Sequence, residues 1–296
     1  MHKSLRNLII FLFSLSILMG IGFYFLRNSS LAVFGNLYLA LLYMPLPFYS
    51  LVIYSKLTKQ KIMFKDFFSI KGITIKNIGI TIAIFLIWAI SSLVLTFVLG
   101  LINPSFWGQL ITTNEQLLAN LTSMVGPELT ASANLPPTPL LLIPITMFAA
   151  IMAGLSINMV FAMGEEILWR GHLYNSLSDL SFIKKQVLIG IIWGLWHIPI
   201  VLQGHNYGIE NGLIGSFYFL LITIPLSMLM GLLMEKTGKN SIYAGMLNGM
   251  FNGFAGFFTL MVIGYNPFIG GAVGIISIIS LLITFLITRS VFKIKY

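Results

Sequence analysis

The 296-residue chain contains no cysteine, which excludes a disulfide framework and any site built on thiolate nucleophiles or ligands. Charged residues are also scarce, at 8% of the sequence, whereas hydrophobic residues make up 57% and the mean hydropathy is +0.94. A soluble protein of this length could not cover its surface with so few charges. The sequence contains no HExxH, Walker A or GxSxG pattern, so it lacks these three common catalytic motifs. The composition therefore predicts an all-α, polytopic helical membrane protein.

Eight apolar runs are long enough to cross a bilayer, whose core of about 30 Å needs about 20 residues per helix. Pro45 and Pro47 predict a kink or break in the second run. The polar segment 103–139 is expected to be a loose outer loop with one surface helix. No repeat or linker divides the chain, so residues 1–296 form one predicted domain. The runs are 8–25, 31–54, 78–102, 140–169, 187–202, 213–234, 241–263 and 269–288.

The positive residues predict the orientation of these spans. Eight spans place both termini on the same side, and of the 17 Lys and Arg residues all but Arg27 fall on that side. The positive-inside rule then places both termini in the cytoplasm of a multi-pass protein, most simply in a bacterial plasma membrane. The net charge of +9 is explained by this topology, so no nucleic-acid partner is expected. The lysine-rich loop 56–76 is expected to contact anionic lipid.

Two carboxylates and a guanidinium lie at the end of the fourth run, as Glu165, Glu166 and Arg170. Ionisable groups at membrane depth are costly and therefore need partners, and usually have a function. Glu166 and Arg170 are four residues apart, a spacing that favours an ion pair on a helix. Glu165 is offset by about 100° and has Trp169 as its i+4 neighbour, so it is the candidate general base. The alternative is a salt bridge that only tethers the helix at the interface.

The fifth run carries Trp193 and His197 on one helical face. A histidine in an apolar helix often makes only an interhelical hydrogen bond, but a His–Glu pair can bind and activate a water molecule. Both interpretations of His197 remain open from the residues alone. His205, in the loop that follows, belongs to no comparable pattern.

The seventh run carries Asn248 and Asn252, again four residues apart. Two amides at membrane depth can hold a developing oxyanion, or they can simply join neighbouring helices. Gly245, Gly249 and Gly253 repeat every four residues along another stripe of the same run. Such a stripe predicts close approach of a neighbouring helix.

These motifs together resemble those of the CAAX protease and bacteriocin-processing (CPBP, or Abi) family, which is related to the type II CAAX prenyl endopeptidases. The resemblance extends over residues 140–255, the family-like core. The first motif is fairly specific once the second follows it in the next span. The motifs are Glu165-Glu166-x-x-x-Arg170-Gly171, then Trp193-x-x-x-His197-x-Pro199, then an asparagine-bearing helix after the segment 237–243.

The resemblance implies an eight-helix intramembrane endopeptidase whose cavity opens toward the cytoplasm. Glu165 would activate water with help from His197, and Glu166 and Arg170 would support it. The third family motif, His-x-x-x-Asn, stabilises the oxyanion, and its asparagine matches Asn252.

The histidine of that third motif is absent from this chain, and the matching position holds Asn248, or Gly249 if the register is shifted by one residue. Asn248 can donate a hydrogen bond but cannot carry a proton as imidazole does. Few ligands of the usual type remain, so a mechanism without metal or other cofactor is favoured.

Two functions from different classes remain open, and the replacement supports the second of them. The first is a peptidase that cleaves a peptide or membrane-protein substrate at the bilayer, with Glu165, His197, Asn252 and Asn248 as catalytic residues. The second is a weak or inactive family member that acts as a bacteriocin immunity or processing partner. A small-molecule transporter is a distant third, because the polar groups cluster in three adjacent spans on one side. The sequence does not predict an oligomeric state.

Overall fold

The computed structural model describes residues 3–293, and this part of the chain is a bundle of helices with a single two-residue strand pair. Lys295, counted above among the positive residues, lies outside the described residues. β1 (Gln109–Leu110) pairs antiparallel with β2 (Val262–Ile263). The helices are α1 Lys3–Arg27, α2 Gly35–Tyr38, α3 Leu46–Thr58, α4 Ile75–Ile102, α5 Pro104–Trp107, α6 Asn114–Val125, α7 Pro127–Thr130, α8 Leu142–Gly154, α9 Ile157–Glu166, α10 Tyr174–Ser176, α11 Phe182–Val201, α12 Gly212–Lys236, α13 Ser241–Met261 and α14 Ile275–Val291.

Several helices have the length and hydropathy of membrane spans, which confirms the predicted fold class. Within residues 3–293 these are α1, α4 and the helical stretch Ile209–Lys236. Two bent pairs pass the same test if each is one span: Ala32–Tyr43 with α3, bent by 43°, and Pro139–Gly154 with Ile157–Ser176, bent by 57°. Because three to five helices meet this test, the total of eight spans and the cytoplasmic termini stay predictions.

The sequence predicted the first of these two bends but not the second. The first lies beside Pro45, as the two prolines of that run predicted. The second divides the run 140–169, which the sequence predicted as one span without a bend. A Cβ atom on Gly154, next to the break, would lie 2.6 Å from the backbone nitrogen of Met250 in α13. The chain therefore changes direction where its backbone touches that of α13.

The glycine stripe of α13 is the surface against which α8 and α9 pack, as predicted. A Cβ atom on Gly249 would lie 2.9 Å from the backbone nitrogen of Met159, and one on Gly253 would lie 3.1 Å from the Cα atom of Ala150. The two backbones approach this closely because no side chain stands between them. This crossing sets the position of α9 relative to α13, the two helices that carry the carboxylates and the amides.

The glycine contact provides a stability prediction. We expect Gly249→Ala to lower the free energy of unfolding by about 1–3 kcal/mol, because the added methyl meets backbone that cannot rotate away. Gly256→Ala is the matched control on the same helix, since nothing lies within 4 Å of the position its Cβ would take. Thermal unfolding in detergent should show a lowered midpoint for the first variant alone. Equal midpoints would contradict the close crossing.

The segment 103–139 contains the expected helix, α6, but it is not the loose loop that the sequence suggested. The side-chain amide of Asn120 donates to the carbonyl oxygens of Leu260 and Thr259, at 2.8 and 3.2 Å. These carbonyls belong to the last turn of α13, where no N–H group of the helix remains to donate to them. Together with the β1–β2 pair, α6 therefore caps the end of α13 and fastens the segment to the bundle.

The lysine-rich loop closes the opposite end of α13. The backbone N–H and the hydroxyl of Ser241 both donate to the carbonyl oxygen of Phe67, each at 2.8 Å. The Phe67 ring packs directly on Gly171, one residue beyond Arg170. The six lysines of the loop are exposed. The loop 56–76 thus covers the end of the bundle next to Arg170.

The predicted orientation can be tested directly because the chain has no cysteine of its own. We expect a membrane-impermeant maleimide to label Glu128→Cys in intact cells, and Lys71→Cys only after permeabilisation, since both residues are exposed. The unmodified chain serves as the unlabelled control. The reverse pattern would refute the assignment of both termini to the cytoplasm.

Candidate active site

Glu166 and Arg170 form a fully buried ion pair at the end of α9. The guanidinium Nη1 lies 3.0 Å from one carboxylate oxygen of Glu166 and 3.2 Å from the other, and both side chains are 0% exposed. A π-helical stretch, Ile167–Leu173, carries Arg170 and preserves the predicted i, i+4 contact. Asn248 donates from Nδ2 to Oε1 of Glu166 at 2.8 Å. Glu166 is therefore held by one charge and one amide.

Glu165 faces a different partner, as its offset on the helix predicted. Its Oε2 accepts a hydrogen bond of 2.8 Å from the indole Nε1 of Trp193. The Arg170 guanidinium lies over the same indole ring, 4.3 Å from its centroid, in a cation–π contact. Trp193 thus orients Glu165 and packs against the ion pair at the same time. The sequence marked Trp193 only by its spacing from His197 and did not predict this bond.

His197 is held in a defined tautomer. Its Nδ1 lies 3.0 Å from the carbonyl oxygen of Trp193, and because a carbonyl can only accept, Nδ1 carries the proton. The Nε2 atom of the neutral ring is then left as an acceptor. The ring packs against Trp196 and Phe219, with centroids 4.4 and 4.3 Å away, so its orientation is fixed by the packing.

The two predicted amides form a short chain. The Nδ2 atom of Asn252 donates to Oδ1 of Asn248 at 3.3 Å, and Asn248 in turn donates to Glu166. Asn248 is buried, whereas Asn252 is exposed. A primary amide carries two N–H donors, so each asparagine keeps a second one for another acceptor.

A cavity of about 520 Å³ connects these groups. Glu165, His197, Asn248 and Asn252 all line it, so residues from three separate predicted spans meet at one space. Most of the remaining wall is apolar and aromatic. Further polar lining comes from residues that the sequence did not single out as functional, namely Asn158, His205, Asn206 and Ser277.

Asn158 lies on the same helix as Glu165, seven residues earlier and therefore on the same face. Its Nδ2 donates to the carbonyl oxygen of Gly249 at 3.2 Å, a bond that the close crossing of α9 and α13 makes possible. The i, i+7 spacing from Glu165 was the signal in the sequence that could have identified it.

Across residues 3–293, no group of three or more histidine or acidic side chains is placed to hold a metal ion.

The family comparison matches the segment that carries this site. Residues 139–255 match the model for the family described as "Type II CAAX prenyl endopeptidase Rce1-like". This segment is therefore similar to the CAAX-protease-like family. A similar protein is the CAAX prenyl protease 2 of Methanococcus maripaludis, which is 32% identical over 92 residues, or 30% of this chain. The alignment covers only 34% of that archaeal protein's length.

The CAAX-protease-like segment contains every catalytic candidate named above. It starts just before α8 and ends within α13, so it includes the bent α8–α9 pair and all of α11 and α12. The cavity also has walls from outside this segment, including Leu39, Ala40, Tyr43, Met44 and residues of α14. Helices outside the segment therefore contribute walls to the same space.

Proposed function

We propose that this chain is a multi-pass membrane endopeptidase that hydrolyses a peptide bond of a peptide or membrane-protein substrate. The observation that carries the proposal is the single cavity lined by Glu165, His197 and Asn252. An acid–base residue, an imidazole acceptor and an amide donor are the groups that water-mediated peptide hydrolysis needs. The similarity of the segment to a peptidase family supports the same conclusion.

In the proposed reaction Glu165 accepts a proton from a water molecule while Nε2 of His197 accepts a hydrogen bond from the same water. The hydroxide attacks the substrate carbonyl, and the free N–H groups of Asn252 and Asn248 hold the resulting oxyanion. Glu165 then donates its proton to the leaving amine, and the C–N bond breaks. One water is consumed, one acid and one amine are formed, and Glu165 returns to its starting state.

Glu166 and Arg170 take a supporting role in this proposal. Their contacts orient α9 and Asn248, and Arg170 packs on the indole that binds Glu165. Every proposed step uses side chains of the protein alone, so the mechanism is of the metal-independent glutamate type. We place the protein in the plasma membrane of a bacterial cell, on the basis of the positive-residue distribution.

The proposal is tested with the full chain in lipid nanodiscs and a library of internally quenched peptides. We expect fluorescence to rise with the wild-type chain and stay flat with Glu165→Gln, and we expect EDTA to leave the rate unchanged. Loss of activity in EDTA that zinc restores would overturn the metal-independent mechanism. No cleavage of any library member, or of co-expressed membrane proteins, would overturn the peptidase proposal.

A second candidate function is protection against a bacteriocin without hydrolysis. The observation that favours it is Asn248, which stands at the position of the family histidine and uses one N–H on Glu166. Cells that express the wild-type chain or Glu165→Gln are challenged with bacteriocins. Protection that survives in Glu165→Gln, with no cleavage by the wild type, would support the second candidate over the first.

The replaced histidine leads to a further prediction. We expect Asn248→His to raise the rate of hydrolysis, because an imidazole can still donate to Glu166 and adds a group that can carry a proton. Asn248→Ala is the matched control and should lower the rate by roughly 10²-fold or more, since an oxyanion donor is lost. The two rates are compared on the same peptide in nanodiscs. An unchanged rate in both variants would remove Asn248 from the mechanism.

A further inference from the structure

The cavity is also lined by His205 and Asn206, from the turn that follows α11. Glu165 is bonded to Trp193, near the middle of α11, whereas this turn begins beyond Val201, where α11 ends. His197 lies between these two levels of the helix and lines the same cavity. A cavity with hydrogen-bonding groups along its length suits an extended peptide main chain.

The turn that carries His205 is held in place by the protein. The backbone N–H of His205 donates to the carbonyl oxygen of Ile200 at 3.2 Å. Two residues later, Tyr207 is 2% exposed, its hydroxyl donates to the carbonyl oxygen of Val273 at 2.9 Å, and its ring stacks on Phe268. Asn206 between them has a left-handed backbone, with φ of 68°, which an asparagine tolerates well. The imidazole is therefore presented on a fixed support.

The ring of His205 is available to a ligand. It is half-buried, and none of the hydrogen bonds found within residues 3–293 is made by a ring nitrogen of His205. Burial lowers the pKa of its imidazole to about 4, so the ring is neutral above that pH. A neutral imidazole has one N–H donor and one acceptor, the pair that matches the C=O and N–H groups of a peptide main chain.

We propose that His205 binds the main chain of the substrate peptide, at a subsite several residues away from the bond that Glu165 hydrolyses. The inference rests on the proposed peptidase function and assigns to the same cavity a second binding position. Trp193 is bonded to Glu165, and the eight residue steps along α11 from Trp193 to Val201, where the helix ends before the turn of His205, rise about 12 Å at about 1.5 Å each. An extended peptide covers about 3.3–3.6 Å per residue, so about four residues separate the two positions.

The test uses a cleaved peptide from the library and versions truncated from either end, assayed in nanodiscs with wild type and His205→Ala. We expect the wild type to cleave the long peptide with kcat/KM roughly tenfold above a version with fewer than four residues on one side, mainly through KM, as one hydrogen bond implies. His205→Ala should lose this length preference and still cleave the short peptide normally. His205→Gln, which keeps a donor and an acceptor, should restore part of the preference.

His172→Ala is the matched control, since His172 is another half-buried histidine but does not line this cavity. It should keep the length preference. Equal loss of kcat/KM for long and short peptides in His205→Ala, or an unchanged preference, would overturn the subsite.

If the wild type cleaves no peptide, fluorescence anisotropy of labelled long and short library peptides still decides the question. Weaker binding of the long peptides alone in His205→Ala would support the subsite although the peptidase function had failed. Identical affinities would overturn it.

Discussion

Glu165→Gln is expected to reduce kcat for peptide hydrolysis by at least about 10³-fold while the protein remains folded. Glutamine has nearly the same shape, and its amide oxygen can still accept the hydrogen bond from Trp193. It cannot accept a proton from water or return one to the leaving amine. A single proton transfer contributes typically 10²–10⁴-fold, and Glu165 is proposed to make two. The rates are compared at pH 7 in nanodiscs, at saturating peptide.

The control for this variant is Glu128→Gln, which changes an exposed carboxylate that does not line the cavity. It should leave kcat unchanged, and both variants should unfold at the wild-type temperature. If Glu165→Gln retained more than a tenth of the wild-type rate, Glu165 would not be the base. The remaining buried carboxylate, Glu166, would then be the first alternative to examine.

Arg170→Met is expected to lower the free energy of unfolding by about 3–5 kcal/mol. The substitution keeps a long apolar stem but removes the guanidinium, so the fully buried Glu166 loses its charged partner. Removing one member of a buried ion pair leaves an uncompensated charge, and costs of this size are typical. The cation–π contact with Trp193 is lost as well. Denaturation of the detergent-solubilised protein, followed by intrinsic fluorescence, measures the loss.

The double variant Arg170→Met with Glu166→Gln separates charge from packing. Because it removes both charges, it should recover most of the lost stability, as buried pairs replaced by neutral groups often do. Arg170→Lys should not recover it, since an ammonium cannot reproduce the planar contact over the indole. A loss of less than 1 kcal/mol in Arg170→Met would show that the ion pair is not what stabilises this end of α9.

Contacts and shared faces within a single helix were predictable because they depend only on the local helical spacing. The Glu166–Arg170 contact, the offset of Glu165 and the face shared by Trp193 and His197 all follow from 3.6 residues per turn. The glycine stripe of α13 predicted a close neighbour for the same reason, although the pattern could not say which helix it would be. The bend at Pro45 followed from the chemistry of proline.

The break after Gly154 was marked only weakly in its own segment. No proline lies at it, and the local signals are Gly154 and Ser156, residue types at which helices can bend. It lies where the backbone meets that of α13, about 95 residues later in the chain, so the cause is a contact between distant segments. The ordered state of 103–139 was missed for a similar reason, because Asn120 finds its partners at the end of α13.

Composition, periodicity and charge distribution were enough to define a helical membrane protein and to place Glu165, His197, Asn252 and Asn248 on its apolar helices, and the resemblance to a known family then implied their catalytic roles. These properties depend on each residue and its near neighbours. The indole that binds Glu165, the amide that binds Glu166, and the entry of Asn158 and His205 into one cavity depend on how helices far apart in the chain pack together. A hydrogen bond between helices needs both partners at a defined distance and angle, and only the packed bundle provides that geometry.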